Sequence, residues 1–413
     1  MSTPLIPTVA AIIAIGVGAK VLSDRFQIPS VVFLILAGIV LGPEILGLID
    51  PDSFGGALSA IVGLSVAIIV FEGAFHLKID KLREAPGEVI RLVTVGAAIA
   101  LIGTAMAVRF LVGSQWDVAF LVGALLVATG PTVITPILEI VPVRDRVAVT
   151  LETEGVVNDV TAAILAIVMF EVVMNPGRGP QVIVESFASR LGIGVASGVL
   201  VAGLVWYLLR HVDLSARGAV QNARLVVLAS ALVSYSLADV LASEAGIAAV
   251  ATAGVLLGNA DLPYEEEIES FKGDITLIVL AFVFITLAAL LSFDDLLRIG
   301  LPGVGVAVVM AAIVRPIGVF ASTVGDRLTI GERAFVSAVG PRGIIPASVA
   351  TLFAVQLQAA GQTEAASTLV GVVFLAIFIT VVVQGGLAKP IANYLDVIPM
   401  RVLIIGGGTV GRA

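Results

Sequence analysis

The chain is dominated by apolar runs of about twenty residues, separated by short stretches that gather charge, glycine and proline. A helix needs about 20 apolar residues to cross the roughly 30 Å hydrocarbon core of a bilayer. Without water, a crossing segment must satisfy its own backbone, so only helices and closed barrels span. Barrel strands alternate apolar and polar residues, and these runs do not. Composition agrees: 59% of the 413 residues are hydrophobic and 13% charged, against about 25% charged in a soluble domain. A soluble enzyme and a disordered or collagen-like chain are excluded. An all-α polytopic membrane protein is predicted, with the lipid bilayer as its first partner. The lack of cysteine removes disulfides, thiolate metal sites and thiol catalysis. A formal net charge of −8 argues against a nucleic-acid partner.

Splitting the chain at its charge and Gly/Pro clusters gives thirteen predicted spans. They run approximately 4–22, 29–47, 55–75, 86–113, 116–138, 146–174, 181–210, 219–240, 243–260, 268–291, 295–324, 331–357 and 364–394. The start lacks a basic region before its apolar run and reads as a first span rather than a cleaved leader. With this count, alternate loops collect Lys20, Arg25, Lys78, Lys81, Arg83, Arg91, Arg144, Arg146, Arg210, Arg217, Arg224, Lys272, Arg327 and Arg333 on one side, with Lys389 and Arg401 of the tail. The other side holds Arg109, Arg178, Arg190 and Arg298. The positive-inside rule predicts a multi-pass protein of the cell membrane with its N-terminus outside and C-terminus cytoplasmic. The transmembrane unit covers 1–397.

Two halves echo each other. Ala37-Gly-Ile-Val-Leu-Gly42 recurs as Ala253-Gly-Val-Leu-Leu-Gly258, and Gly130-Pro131 with Pro136 recurs as Gly340-Pro341 with Pro346. An odd number of spans separates the copies, which predicts two inverted six-span repeats joined by span seven. Such repeats are the architecture of secondary transporters, whose substrate site lies near the midplane where helices break. Proline inside spans five and twelve removes a backbone donor and clashes with the preceding turn. Discontinuous, crossing helices are predicted at Gly130-Pro131 and Gly340-Pro341.

An ionisable side chain at the bilayer centre costs at least about 2.5–3.5 kcal/mol and is a functional candidate by default. Most acids fall in loops, including the Glu265–Glu267 run. Four deep charges stand out: Glu72, Glu154, Asp159 and Arg342. Asp159 lies roughly 18 Å into span six, counted from Val147 at about 1.5 Å per residue, and Gly130 reaches a similar depth from the other side. A lone carboxylate there meets a broken helix. It can hold a proton or a small cation, and holding one excludes the other, which is sufficient for proton-coupled cation exchange. Glu154 and Asn158 are four apart and share a helix face, while Asp159 points elsewhere. Arg342, in the opposing broken helix, is predicted to pair with Glu154. Glu152 either draws cations into a funnel or is an interfacial acid facing water. His76 and His211 stand isolated at span ends, so no catalytic constellation is visible and the chain is not read as an enzyme.

Phe71-Glu72-Gly73, Ala128-Thr129-Gly130-Pro131, Glu154-Gly-Val-Val-Asn158-Asp159 and Gly340-Pro341-Arg342-Gly343 together resemble the sodium/proton exchanger branch of the monovalent cation:proton antiporter superfamily. The resemblance covers nearly the whole chain. It implies a thirteen-helix fold, a homodimer, and Asp159 as carrier of H+ and of the transported Na+. It further implies Glu72 and Thr129 as cation-coordinating neighbours, Asn158 as a polar support, and a structural Glu154–Arg342 pair. Asn before the essential Asp goes with electroneutral exchange in this family. Two departures remove oxygen ligands: Gly130 stands where the family usually has an acid, and Gly155 where a small hydroxyl residue often follows the glutamate. Exchange of K+ or Li+ for H+ therefore stays open beside Na+.

The tail, Arg401-Val-Leu-Ile-Ile-Gly406-Gly-Gly408-Thr-Val-Gly411, reads as a strand entering G-x-G-x-x-G. It resembles the opening of a cytoplasmic nucleotide-binding regulatory domain, so 398–413 is predicted to be the start of a dinucleotide-binding-type domain. No cofactor is expected within this chain; a full-length C-terminal domain would supply the nucleotide site.

Overall fold

The computed structural model describes residues 5–26, 30–75, 77, 79, 86–175, 180–211, 218–243, 245–290, 293–325 and 327–399. These residues are helical and contain no strand. The helices are α1 (Leu5–Phe26), α2 (Ser30–Leu41), α3 (Ala57–Phe75), α4 (Gly87–Val112), α5 (Trp116–Leu125), α6 (Pro131–Ile140), α7 (Asp145–Met174) and α8 (Pro180–His211). There follow α9 (Ala219–Leu241), α10 (Ala245–Gly258), α11 (Glu265–Ala289), α12 (Ile299–Ser322), α13 (Ile330–Ala338), α14 (Ile344–Ala359) and α15 (Thr363–Tyr394). Eight of them (α1, α4, α7, α8, α9, α11, α12 and α15) are long and apolar enough to cross a membrane. The shorter apolar helices include α2, α5, α10 and stretches of α3 and α14.

The second span is shorter than its apolar text. Helix α2 stops at Leu41, because Gly42-Pro43 disfavours continuation, and a turn with Gly47 at φ 60° follows. Spans five and twelve are interrupted as predicted: α5 ends at Leu125 before α6 begins at Pro131, and α13 ends at Ala338 before α14 begins at Ile344. Proline in the first helical turn has no donor to lose, so Pro131 opens α6 readily.

The repeated Gly-x-x-x-Gly text has a physical reason. A Cβ on Gly38 would lie 2.5 Å from the carbonyl oxygen of Ile285, so α2 rests directly on the α11 backbone. A Cβ on Gly258 would lie 2.0 Å from the carbonyl oxygen of Phe75, so α10 rests in the same manner on α3. Small residues at such crossings let membrane helices approach closely where no hydrophobic force drives them together. Helix α2 of the first half thus packs on α11 of the second, and α10 of the second packs on α3 of the first. This exchange is what an inverted repeat produces.

Loops assigned to one side of the membrane also meet in space. The start of α7 pairs with the start of α4 through Arg146 and Glu88, the Nη2–Oε1 distance being 2.6 Å. It pairs with the start of α13 through Arg144 and Glu332 at 3.0 Å. Arg144 also donates to the carbonyl of Asp396 near the chain end. On the opposite face, Gly113, Asp117, Val173, Gln362 and Glu364 line a common cavity of about 950 Å³.

Candidate ion-binding site

Helix α7 runs without a break for 30 residues and carries the site on its middle turns. Glu154, Asn158 and Asp159 are all buried, at 1%, 2% and 0% exposure. The i,i+4 pair is joined: Asn158 Nδ2 donates to Glu154 Oε1 at 3.3 Å, and to Thr129 Oγ1 at 3.3 Å. Asn158 therefore stitches α7 to the broken segment between α5 and α6. Asp159, one residue on, points away from that network. Both its carboxylate oxygens are buried, and among the described residues neither has a hydrogen-bond partner. A lone buried carboxylate is tolerated when a proton or a cation neutralises it.

Glu154 does not pair with Arg342. Its two oxygens accept from Nη1 and Nη2 of Arg315, a two-pronged charge-assisted contact, with Nη2 at 2.7 Å from Oε2. Arg315 follows the π turn Met310–Val314 of α12 and also donates to the carbonyl of Val336 at the end of α13. Arg315 is a further deep charge inside an apolar run, costly at that depth on the same ground as the other four. Arg342 does different work. Its Nη1 donates to the carbonyls of Val127 and Ala128 at 3.1 and 2.9 Å. Those oxygens have lost their helical partners because α5 stops there, and the C-terminal end of a helix attracts positive charge. Arg342 thus links one broken helix to the other.

The second break is held from α15. The π turn Thr380–Gly385 turns Thr380 and Gln384 toward it. Thr380 Oγ1 accepts from the Arg342 backbone N–H at 3.1 Å, and Gln384 Oε1 accepts from that of Gly340 at 3.2 Å. These are the donors that an unbroken helix would have satisfied. Gly340 is glycine because a Cβ would lie 2.7 Å from Nε of Arg315. Neither Arg315 nor the Thr380–Gln384 pair was found from the sequence; a π turn leaves no recognisable periodicity.

Other predicted site residues fall elsewhere. Glu72 is half-buried and lines a cavity of about 530 Å³ between α1, α3, α6 and α11, whose lining does not include Asp159. Glu152 is half-buried, about two turns before Asp159, and is not among that cavity's lining residues. Pro131 and Pro341 mark the two breaks. The tail motif from Arg401 onward lies outside the described residues. Among the described residues no three His, Asp or Glu side chains form a metal-holding group.

A buried carboxylate beside two interrupted helices, in a polytopic helical bundle with inverted halves, defines an ion-translocating membrane protein. The sequence matches the family described as "Sodium/hydrogen exchanger, transmembrane" over residues 9–394, and the chain belongs to that family. It is 26% identical to the Na(+)/H(+) antiporter 1 of Methanocaldococcus jannaschii, the alignment covering 90% of this chain and 91% of the relative. It is 28% identical to the K(+)/H(+) antiporter NhaP2 of Shewanella oneidensis over 91% of this chain, spanning 64% of that longer protein. The fold is that of the sodium proton antiporter MjNhaP1 from Methanocaldococcus jannaschii at pH 8, with a TM-score of 0.80 and 24% identity, covering 94% of this chain and 98% of that one.

Proposed function

We propose that the chain is a secondary transporter, an electroneutral Na+/H+ antiporter exchanging the two ions at Asp159 by alternating access. The observation that carries this reading is the fully buried Asp159 carboxylate, without a hydrogen-bond partner among the described residues, one residue from a side chain bonded to the first helix break. A proton and a hard monovalent cation compete for the same oxygens, and the loser leaves when the site faces the other side. Thr129 and Glu72 are proposed as neighbouring cation ligands, and Asn158 as the group that fixes the first break against α7. Glu154 with Arg315, and Arg342 with the carbonyls of Val127 and Ala128, form the frame around the carrier.

We read the molecule as a homodimer in the cell membrane, with the face bearing Arg144, Arg146 and Lys20 in the cytoplasm. Residues 398–413 are read as the start of a nucleotide-binding regulatory domain. A K+/H+ antiporter is the second reading, favoured by the identity shared with the Shewanella protein of that name.

The test is exchange in proteoliposomes with an internal pH dye, adding Na+, K+ or Li+ in turn. Na+ is expected to move protons in the wild type and not in Asp159→Asn. Exchange that survives Asp159→Asn sinks the central assignment, and a response to K+ alone transfers it to the second reading.

A further inference from the structure

The cavity beside Glu72 opens on the face that carries Lys20, and its lining is charged in an uneven way. Four carboxylates line it: Asp24 from α1, Glu72 from α3, Glu139 from α6 and Asp274 from α11. Among the described lining residues Lys20 of α1 is the cation. Its ammonium lies 3.4 Å from Asp24 on its own helix and 3.9 Å from Glu139 across the cavity. The three side chains are 42%, 65% and 60% exposed, so this lysine is not locked in place. Thr135 on the same wall lies four residues beyond Pro131, about 6 Å along the α6 axis from the first helix break.

A lysine ammonium is a compact point charge with three donors on a flexible stem, and it offers a carboxylate what a small cation offers. We propose that Lys20 is a tethered competitor for the transported cation, its ammonium bridging α1 to Glu139 and yielding that carboxylate when a cation enters. This deepens the exchange reading above and rests on it. Lys20 thereby sets how much cation is needed to fill the cavity, and it links occupancy to the separation of α1 from α6. The bridge is exposed, and exposed ion pairs are weak. Its effect on half-saturation is therefore about two- to fivefold rather than orders of magnitude.

The experiment uses the full chain in proteoliposomes, with Na+ presented to the face bearing Lys20. Ionic strength is held constant, because charges more than about 10 Å apart are screened at 0.1 M salt. Half-saturating Na+ and maximal rate are read separately, so that damage to the fold, which lowers the maximal rate, is distinguished from altered competition. Lys20→Met should lower half-saturating Na+ about two- to fivefold, and Lys20→Arg should keep the wild-type value. Glu139→Gln should raise it and should abolish the effect of adding Lys20→Met.

Because the chain has no cysteine, Lys20→Cys allows charge to be restored on an already folded protein. A trimethylammonium-ethyl thiosulfonate adduct should raise half-saturation, and a sulfonatoethyl adduct should lower it. Equal values for the two adducts, or a half-saturation unchanged or raised in Lys20→Met, overturn the proposal while leaving exchange at Asp159 intact. Wild-type protein that moves no protons in response to Na+ instead overturns the exchange reading, a failure visible before any Lys20 variant is made.

Discussion

Two carboxylates and two guanidiniums are buried around the centre of this protein, and their hydrogen bonds divide them differently from their charges. Glu154 and Arg315 answer each other, while Arg342 donates to backbone oxygens within electrostatic reach of Asp159, whose own oxygens accept no hydrogen bond among the described residues. Removing one partner from a buried ion pair leaves an uncompensated charge and costs about 3–5 kcal/mol. Glu154→Leu or Arg315→Leu alone should therefore sharply lower the unfolding temperature in detergent. The double Leu substitution should recover much of that loss. Glu154→Leu combined with Arg342→Met should show no such recovery, because Arg342 is not the partner; recovery there would contradict the contacts described. The burial of the proposed carrier was legible in the sequence, since helix rise alone brings Asp159 deep into its span. The partner of Glu154 was not. Arg315 lies on α12 and Arg342 in the break between α13 and α14, and choosing between them requires the placement of that break against α12, which no spacing within one helix encodes.

Helix crossings here are set by missing side chains. Ala-Gly-x-x-x-Gly could be read as a repeated string, and inverted halves followed from the number of spans between the copies. What the string does became visible only with its contacts, Gly38 on the α11 backbone and Gly258 on the α3 backbone. Gly258→Ala forces a carbon to within 2.0 Å of a backbone oxygen that has no rotamer with which to move aside. Overpacking of this kind typically costs about 1–3 kcal/mol. Gly18→Ala, on α1, meets no atom within 4 Å and should change stability by less than about 0.5 kcal/mol. Thermal unfolding of the two variants side by side checks the assignment; equal behaviour would show that α10 and α3 have slack between them. The interrupted helices were legible for a related reason, because proline and glycine act locally on their own backbone. The π turn of α15 that holds the second break was not, since it depends on what α15 packs against.

For the whole molecule, the decisive quantity is how much charge one cycle carries. Glu154 is matched by Arg315, and the amide of Asn158 carries no charge. On the proposed reading Asp159 is, among the described residues, the central carboxylate left to exchange its occupant, taking one proton or one monovalent cation. A cycle on that reading moves one positive charge each way. The membrane potential does about 2.3 kcal/mol of work per 100 mV on each net charge, and here the net is zero. Exchange should run at the same rate with the potential clamped at 0 or at about −100 mV. Direct competition makes a second demand. Where Asp159 is protonated in the absence of Na+, each tenfold rise in proton concentration should raise half-saturating Na+ tenfold. Half-saturation measured with equal pH on both sides should follow pH with a logarithmic slope of about −1 in that range, by the mass action of two ligands for one site. A slope near −2 would mean that a second proton site joins the exchange, for which Glu72 is the proposed candidate. A slope near zero would mean that proton and cation bind apart, and direct exchange on one carboxylate would be excluded even if transport remained independent of voltage.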